Sequence, residues 1–429
     1  MLGGNKLMNK FLRVFGLGLM IATFAFVGFA QERTREVVYN EYMANFQSND
    51  AAKLQVALKA AKEYVEKFNT PDDKEQVDYF KGAIPTLEAA IKTKGEQELA
   101  KKESDAWYAL LGKVTAAVKA ENWADAYSNG KQAIDKQFTY LDQGYLTTDK
   151  VKSEKLDLAI VLGTIGFDLA AKKTDTYNSE AVNYLKSAIQ QIEGGQTSTW
   201  GKVLGYDLKN KDNALGLMNY YIGYIMYYRQ KKEEEAMSYL YKATQFNSAS
   251  RDFSNIYNLI GLKFYNKLAE MDKIRIAKTE TLKNEQDEAA IAKLTEEIKA
   301  LVAEEKGVAE RGIEAFAKAL DVAKTDKAIS QKYKDDVRAN IDDLYKFRFP
   351  NKPDGVDAYI NTVASRPLTN PATPVQPIVE EETSETTDSK TTSTTPSTKP
   401  ATTTNGTKTS VKPTTTEAKT TPVKKPRRR

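Results

Sequence analysis

The side chains that could carry chemistry in this chain are of few types. Its 429 residues include no histidine and no cysteine. That composition excludes Ser-His-Asp triads, cysteine nucleophiles, imidazole ligands, zinc-cysteine sites and disulfides. Carboxylates, lysines, tyrosines and serines remain, together with a metal ion held by oxygen ligands. Any catalysis would have to use these groups.

Adjacent acids are the first candidates for acid–base or calcium chemistry, and they occur as Asp72-Asp73, Asp335-Asp336 and Asp342-Asp343. None of these pairs has the alternating oxygen spacing of a calcium loop closed by a glutamate. Each pair falls at a predicted helix start or on a polar helix face, which favours simple solvation. Gly-x-x-Gly fragments such as Gly163–Gly166 lack the Lys-Ser/Thr of a phosphate loop. We therefore expect a protein that is not an enzyme, with no cofactor and no metal site.

Tyrosine is the other abundant chemical group, and it is concentrated between Asn213 and Phe246. This stretch predicts two amphipathic helices joined by a polar turn at Gln230–Lys232. In the first helix, apolar residues recur at steps of three and four, at Leu217, Tyr220, Tyr221, Tyr224, Ile225 and Tyr228. Gly223 lies within that helix, where a glycine usually marks close helix approach.

The order of residues here resembles a tetratricopeptide repeat. The pair Ile222-Gly223 precedes a polar turn and then Ala236, Leu240 and Ala243, which place small residues on either side of a large one. The stretch has one residue more than that repeat between glycine and first alanine, and it lacks the closing proline. The resemblance implies an all-α solenoid of antiparallel helix pairs that binds protein or peptide partners along a concave groove.

The resemblance also implies which residues line that groove, because the first helix of each pair faces it. The expected partner-binding residues are Tyr220, Tyr224, Tyr227, Asn255, Asn258 and Tyr265. Tyrosine offers a rigid apolar body with a hydroxyl group, and asparagine can hydrogen-bond an extended backbone. The alternative is that these tyrosines pack between repeats. Trp200, in the loop Gly194–Lys211, is a separate candidate for a contact, with packing against a repeat edge as its alternative.

The helix-pair pattern recurs along the chain. The units are Leu111-Gly112 with Ala126, Gly130 and Ala133; Ile165-Gly166 with Ala181, Leu185 and Ala188; and Ile260-Gly261 with Gly312, Phe316 and Ala319. The first alanines of three units fall at Ala126, Ala181 and Ala236, which is a longer period than the 34 residues of a tetratricopeptide repeat. Leu54–Phe68 and Phe80–Ile91 form a weaker pair. The alternative is an irregular helical bundle with alanine-rich cores.

Two further helical elements occur near the last unit. Residues 272–308 interrupt that unit as a charged helical insertion with a short heptad stripe and a break near Asn284–Asp287. This pattern predicts either a hairpin that binds a partner or dimerises, or a long solvated helix. Residues 332–347 predict a capping helix with an inner apolar face. No segment has the β-branched alternation that a sheet needs, so the fold class is all-α.

The two ends of the chain differ in composition from the body, residues 31–366. Residues 1–30 have a basic start, an apolar run and a small-x-small site before Gln31, which is typical of a signal peptide; an uncleaved anchor is the alternative. We expect export to a bacterial periplasm or cell envelope, with no transmembrane segment in the mature chain. Residues 367–429 are rich in Thr, Pro and Lys and predict a disordered tail.

Charge is unevenly divided. The tail is basic, whereas the body is close to neutral, so it carries no electrostatic footprint for nucleic acid. The basic C-terminus is an expected contact for anionic cell-wall polymers or lipid headgroups, with a merely solubilising tail as the alternative. The predicted function is a non-catalytic scaffold for protein or peptide partners. The alternatives are a carboxylate-dependent enzyme acting on glycans or peptidoglycan and a structural cell-wall protein acting through its tail.

Overall fold

The computed structural model of the chain describes residues 33–379. Within that range every regular element is helical, with twelve α-helices and no strand, which confirms the all-α prediction. The predicted signal peptide (1–30) and residues 380–429 lie outside the described range. The chain divides into two compact units, one ending at Lys102 and the other beginning at Glu103.

The first unit is built from α1 (Arg35–Asn45), α2 (Ala51–Lys67) and the beginning of α3 (Lys74–Lys119), which continues past Lys102. The Asp50 side chain caps α2, because its carboxylate accepts a hydrogen bond of 2.7 Å from the backbone N–H of Ala52. The core of this unit consists of the buried side chains Val38, Tyr42, Leu54, Ala57, Leu58, Ala60, Ala61, Tyr64, Val77, Phe80 and Leu87.

Asp73 differs from the expectation of a solvated acid. It is buried, and its carboxylate accepts hydrogen bonds from the hydroxyls of Tyr64 (3.3 Å) and Thr70 (2.8 Å). It also forms an ion pair of 2.5 Å with Arg35. The carboxylate thus connects α1, α2 and the turn before α3. Asp73 is a structural anchor of the first unit.

The second unit contains the remaining helices in chain order. They are α4 (Trp123–Asp135), α5 (Thr148–Ala171), α6 (Asn178–Glu193), α7 (Lys211–Tyr224), α8 (Glu233–Ala243), α9 (Ser254–Asn284), α10 (Glu288–Thr325), α11 (Gln331–Arg348) and α12 (Val356–Ala364). Helices adjacent in sequence pack in pairs around two cores, one formed by the end of α3 with α4 and α5, and a larger one formed by α5 to α12. A five-residue π-helical stretch, Ile225–Arg229, directly follows α7.

Glycines on the first helix of a pair let the second helix approach closely. A Cβ atom at Gly166 of α5 would overlap Ala181 of α6, and one at Gly223 of α7 would lie 2.6 Å from the side chain of Leu240 in α8. The sequence pattern pairs the same residues. Gly112 of α3 differs, since a Cβ atom there would meet nothing within 4 Å. The glycine at that position therefore marks no close approach.

Residues 272–308 comprise the outer end of α9, a short connection and the beginning of α10. The two helices are joined at Glu285–Asp287, where the sequence predicts a break. Between residues 272 and 302, a segment we call the outer hairpin, no residue is fully buried. At its base Glu305 is completely buried and forms an ion pair of 2.9 Å with Arg275.

Helix α11 covers the end of α10, at the place predicted for a capping helix. Its buried residues, spaced for one helix face, include Tyr333, Val337, Ile341, Leu344 and Tyr345. Gly312 of α10 meets Leu344 of α11, because a Cβ atom at this glycine would lie 2.6 Å from that leucine side chain.

The start of the predicted tail lies against the helices rather than apart from them. Residues 367–379, which we call the C-terminal arm, contact α10 through hydrogen bonds and apolar side chains, and Leu368 is buried. The boundary of the packed body therefore lies beyond Arg366, where the composition changes. The composition shows that large apolar residues become rare after Arg366. The few that remain are enough to hold residues 367–379 against α10.

Candidate binding surface

Helix α7 is buried on all sides for most of its length. Every residue from Asn213 to Gly223 is buried. A helix that is apolar all round is typical of a central position, covered on both faces. Apart from Lys211 and Asp212 at its start, the helix is accessible to solvent only at its end, from Tyr224 into the π-helical stretch. The face around Gly223 therefore cannot serve as an open groove along its whole length.

Three of the six expected groove residues lie in the interior. Tyr220 is only 4% exposed, Tyr227 is 8% exposed and Asn258 is 8% exposed. The ring of Tyr220 packs edge-on against Phe253, with centroids 4.9 Å apart, and against Phe167 at 5.6 Å. The tyrosines of α7 thus fill the space between helices, the packing alternative that their spacing also allows.

The other three expected residues, Tyr224, Asn255 and Tyr265, are partly exposed. Tyr224 packs against Tyr228 with ring centroids 4.8 Å apart, and the Tyr228 hydroxyl donates a hydrogen bond of 3.3 Å to the side-chain oxygen of Asn255. We call the connected, half-buried set Tyr224, Tyr228 and Asn255 the tyrosine surface. It joins α7 to α9, the first helices of two successive pairs.

Tyr265 is further along the same helix as Asn255. The ten residues between them correspond to about 15 Å along the helix axis. The Tyr265 hydroxyl lies 3.5 Å from a carboxylate oxygen of Asp343 on α11. About four or five residues of an extended peptide would cover that distance. Tyr265 therefore lies apart from the tyrosine surface.

Burial strengthens the preference of these tyrosines for the neutral form. Desolvation raises the pKa of Tyr220 and of Tyr228 well above the ordinary value, and it raises the pKa of Tyr227 to about 12. The hydroxyl groups therefore remain protonated at physiological pH. A protonated hydroxyl can donate a hydrogen bond, as Tyr228 does to Asn255, but it is unsuited to act as a general base.

The π-helical stretch, which contains Tyr228 of the tyrosine surface, is held in place at its last residue. Arg229, its last residue, forms two parallel hydrogen bonds with the carboxylate of Asp175, at 2.6 and 2.7 Å. This bidentate pair holds the end of the stretch to the α5–α6 connection. The pairing lowers the pKa of the Asp175 carboxyl, first through the hydrogen bond from Arg229. π-helical turns inside α-helices occur frequently at functional sites.

The sequence alone does not predict the π-helical turn or the contact between Phe253 and Tyr220. The apolar periodicity places Tyr228 on one face of a regular helix, and it gives no signal for the π-helical turn that carries this residue. Phe253 precedes α9 and lies against Tyr220, a contact that depends on tertiary packing. The run of tyrosines at helical spacing is the signal in the sequence that points to the site.

The loop that contains Trp200 is held by a buried acid. Asp157 of α5 accepts hydrogen bonds from the backbone N–H groups of Thr199 (3.1 Å) and Gly201 (2.7 Å) and from the Thr199 hydroxyl (2.9 Å). Trp200 itself is half-buried against the main core. The indole therefore covers the edge of the helix pairs, which agrees with the packing alternative for this residue.

A separate surface cavity of about 510 Å³ lies wholly within the first unit. Its lining residues are Tyr42, Phe46, Asp78, Tyr79, Gly82, Ala83, Thr86 and Leu87. The Tyr42 and Tyr79 hydroxyls are 3.1 Å apart, and Asp78 pairs with Lys74 at 2.5 Å. Asp78 is the one carboxylate of this cavity, whereas glycoside cleavage uses two, about 5–10 Å apart.

Comparisons with known proteins found no matching family model, no curated protein and no solved structure similar to this chain. Within residues 33–379, no cluster of three or more acidic side chains could hold a metal ion. In the same range, no helix combines the length and the apolar character required to cross a membrane.

Proposed function

We propose that this chain is a non-catalytic, exported scaffold that holds protein or peptide partners in the cell envelope. In this proposal the helix pairs form a tetratricopeptide-like solenoid, and the tyrosine surface with Tyr265 is the partner contact. The observation that carries it is the half-exposed group Tyr224, Tyr228 and Asn255 at the junction of two successive first helices.

Several features support a peptide as the ligand. Tyrosine rings supply rigid apolar area together with a polar tip, and such residues are enriched where proteins bind partners. The Asn255 side chain adds an amide that can pair with a peptide backbone. The spacing of about 15 Å between Asn255 and Tyr265 suits a short extended segment. The close contacts at Gly166, Gly223 and Gly261 support the repeat-like pairing of the helices.

The test compares the proposed contact residues with two more exposed tyrosines elsewhere on the second unit. The surface variant carries Tyr224→Ser, Asn255→Ala and Tyr265→Ser. The control variant carries Tyr108→Ser and Tyr145→Ser, two tyrosines outside the surface that are 39% and 45% exposed. Both variants and the wild type are tagged and used to capture partners from an envelope extract, after circular dichroism and thermal melts show equal folding.

We expect at least one partner that the wild type and the control variant capture and the surface variant loses. Its binding is then measured with the purified partner by titration calorimetry. Capture of the same partners by all three proteins would show that the tyrosine surface is not the contact. Export is tested separately by N-terminal sequencing of the chain from the envelope fraction, where the proposal expects a start at Gln31.

A further inference from the structure

The Glu305 carboxylate, at the base of the outer hairpin, is completely buried and only half satisfied. Its Oε2 atom accepts a hydrogen bond of 2.9 Å from Nε of Arg275 on α9. Its Oε1 atom has no hydrogen-bond partner among the residues that the structure describes. A buried polar atom without a partner bears the full cost of losing its water, and this cost is larger for a charged group. The ionised form of Glu305 is therefore unfavourable at this place.

Arg275 is shared between two carboxylates. Its guanidinium also donates a hydrogen bond to the carboxylate of Asp272, which precedes it on α9. The Asp272 side chain is 43% exposed, that of Arg275 is 27% exposed and that of Glu305 is completely buried. The three groups thus lead from the surface into the interior. When all three are ionised, two carboxylates face one guanidinium, and the cluster has a negative charge in excess.

The surroundings supply no second cation to this cluster. The other ionisable residues near it on α10, or on the helices α11 and α12 that pack against α10, form ion pairs of their own: Glu304 with Lys267, Glu310 with Arg348, and Asp357 with Arg338. Lys306 is adjacent to Glu305 in sequence, and its side chain therefore leaves the helix about 100° away. The C-terminal arm contains no ionisable side chain. Asp272 and Arg275 of α9 are thus the charged groups that face Glu305.

The electrostatics of the cluster favour a proton on Glu305. Burial raises the pKa of its carboxyl above the ordinary value of 4.5, Arg275 opposes this shift, and Asp272 adds to it. The closed base of the hairpin therefore binds this proton more tightly than an opened, hydrated base does. The stability of the closed base rises as the pH falls through the raised pKa, and it is lost as the pH rises through that value.

We propose that Glu305 is a proton switch that controls how firmly the outer hairpin is held at its base. When the carboxylate takes up a proton, the excess negative charge disappears, and Arg275 is left with Asp272 as its only charged partner. When the carboxylate is ionised, opening of the base gives it access to water, so local opening becomes easier. The outer hairpin is therefore held more firmly in acidic surroundings than in neutral ones.

Hydrogen exchange of the full-length chain tests the switch. Amide exchange in peptides from the base, residues 268–276 and 301–309, is followed by mass spectrometry between about pH 5 and 8 and corrected for the intrinsic effect of pH on exchange. Glu305→Gln removes the titrating group with little change of shape, and Asp272→Asn removes the competing carboxylate. Glu304→Gln is the matched control, because it neutralises the adjacent carboxylate, whose side chain is 42% exposed.

We expect protection of the base amides to rise as the pH falls, both in the wild type and in Glu304→Gln. The rise should reach at most about tenfold per pH unit, which is the limit for one linked proton. Glu305→Gln should lose this pH dependence. Asp272→Asn should move the rise to lower pH, because Arg275 then pairs with Glu305 alone.

Two results would overturn the proton switch directly. One is protection of the wild-type base that does not change with pH, and the other is a pH dependence that persists in Glu305→Gln. Asp272→Asn keeps the test decisive if Glu305→Gln fails to fold. A rise in protection that stays at the same pH in Asp272→Asn, or moves to higher pH, would show that the two carboxylates do not share Arg275, and the proposal would fail.

Discussion

The glycine-packed pairs α5–α6 and α7–α8 and the outer hairpin of α9–α10 are held together differently. In the pairs, Gly166 and Gly223 let helices interlock around fully buried residues such as Ala181 and Leu240. In the outer hairpin, residues 272–302, no side chain is fully buried and the helices are joined by ion pairs such as Lys278–Glu297 at 2.6 Å. Burial of apolar area contributes far more to folding than exposed ion pairs do. The outer hairpin is thus the locally weaker region.

The largest difference is expected between a methyl group added at Gly166 and one added at Gly112. Gly166→Ala should lower the free energy of unfolding by about 1–3 kcal/mol, because the added Cβ overlaps Ala181 and overpacks the pair. Gly112→Ala should raise it by about 0.5–1 kcal/mol, because that position has open space and alanine favours a helix. Urea denaturation followed by circular dichroism measures both. Changes of the same sign would contradict close packing at Gly166.

The buried ion pair at the base of the outer hairpin allows a second comparison between charged and apolar packing. Arg275→Met should destabilise the protein by about 2–3 kcal/mol, because it leaves the buried carboxylate of Glu305 without its ion pair. Glu305→Met should cost less or stabilise, since it removes the buried charge itself. Thermal melts of the two variants and the wild type provide the measurement. A larger loss of stability for Glu305→Met than for Arg275→Met would show that the ion pair makes a net contribution to stability.

Alkaline pH should weaken the glycine-packed pairs before the outer hairpin. Burial raises the pKa of Tyr227 to about 12 in the folded chain, above the 10.0 of an exposed tyrosine. The stability that the folded chain gains from keeping the Tyr227 hydroxyl protonated is complete below about pH 10. It is lost as the pH rises toward about 12. Residues 272–302 contain no tyrosine. Urea melts between about pH 9 and 12 should show stability falling, less steeply for Tyr227→Phe. If the stability of this variant fell with pH as steeply as that of the wild type, Tyr227 would not be a cause of the pH dependence.

The smallest effect is expected within the outer hairpin itself. Lys278→Ala removes the ion pair with Glu297, whose side chains are 34% and 38% exposed. The loss should be less than about 1 kcal/mol and should vanish in about 1 M salt, because exposed charges are screened. Hydrogen exchange of the hairpin amides in low and high salt measures it. A loss that is unchanged by salt would indicate packing by the lysine stem instead.

The helix pairs can be predicted from the sequence because their signal is local. The spacing of Gly166, Gly223 and Gly261 relative to the residues they meet indicates which helices pair. Apolar periodicity likewise indicates the capping helix, and a polar cluster indicates the break at Asn284–Asp287. Patterns of this kind show which residues of a helix lie on its apolar face and are therefore expected to be buried.

The binding surface is only partly predictable, because burial depends on what covers a helix from outside. The spacing of Tyr220 and Tyr224 places both on one side of α7, yet Tyr220 is covered by Phe253 and Phe167 while Tyr224 is partly open. Periodicity cannot show which residues a neighbouring segment will cover. The same limit explains Asp73, whose partners Arg35 and Tyr64 come from other helices.

The placement of the tryptophans has a consequence for spectroscopy. The three tryptophans of the chain are Trp107, Trp123 and Trp200, all within the second unit, and Trp107 is completely buried with its indole N–H bonded to Glu154 at 2.8 Å. The first unit contains tyrosines but no tryptophan. Selectively excited tryptophan emission therefore reports unfolding of the second unit alone, whereas helical circular dichroism reports both. Two midpoints that differ between these signals would reveal that the first unit unfolds separately.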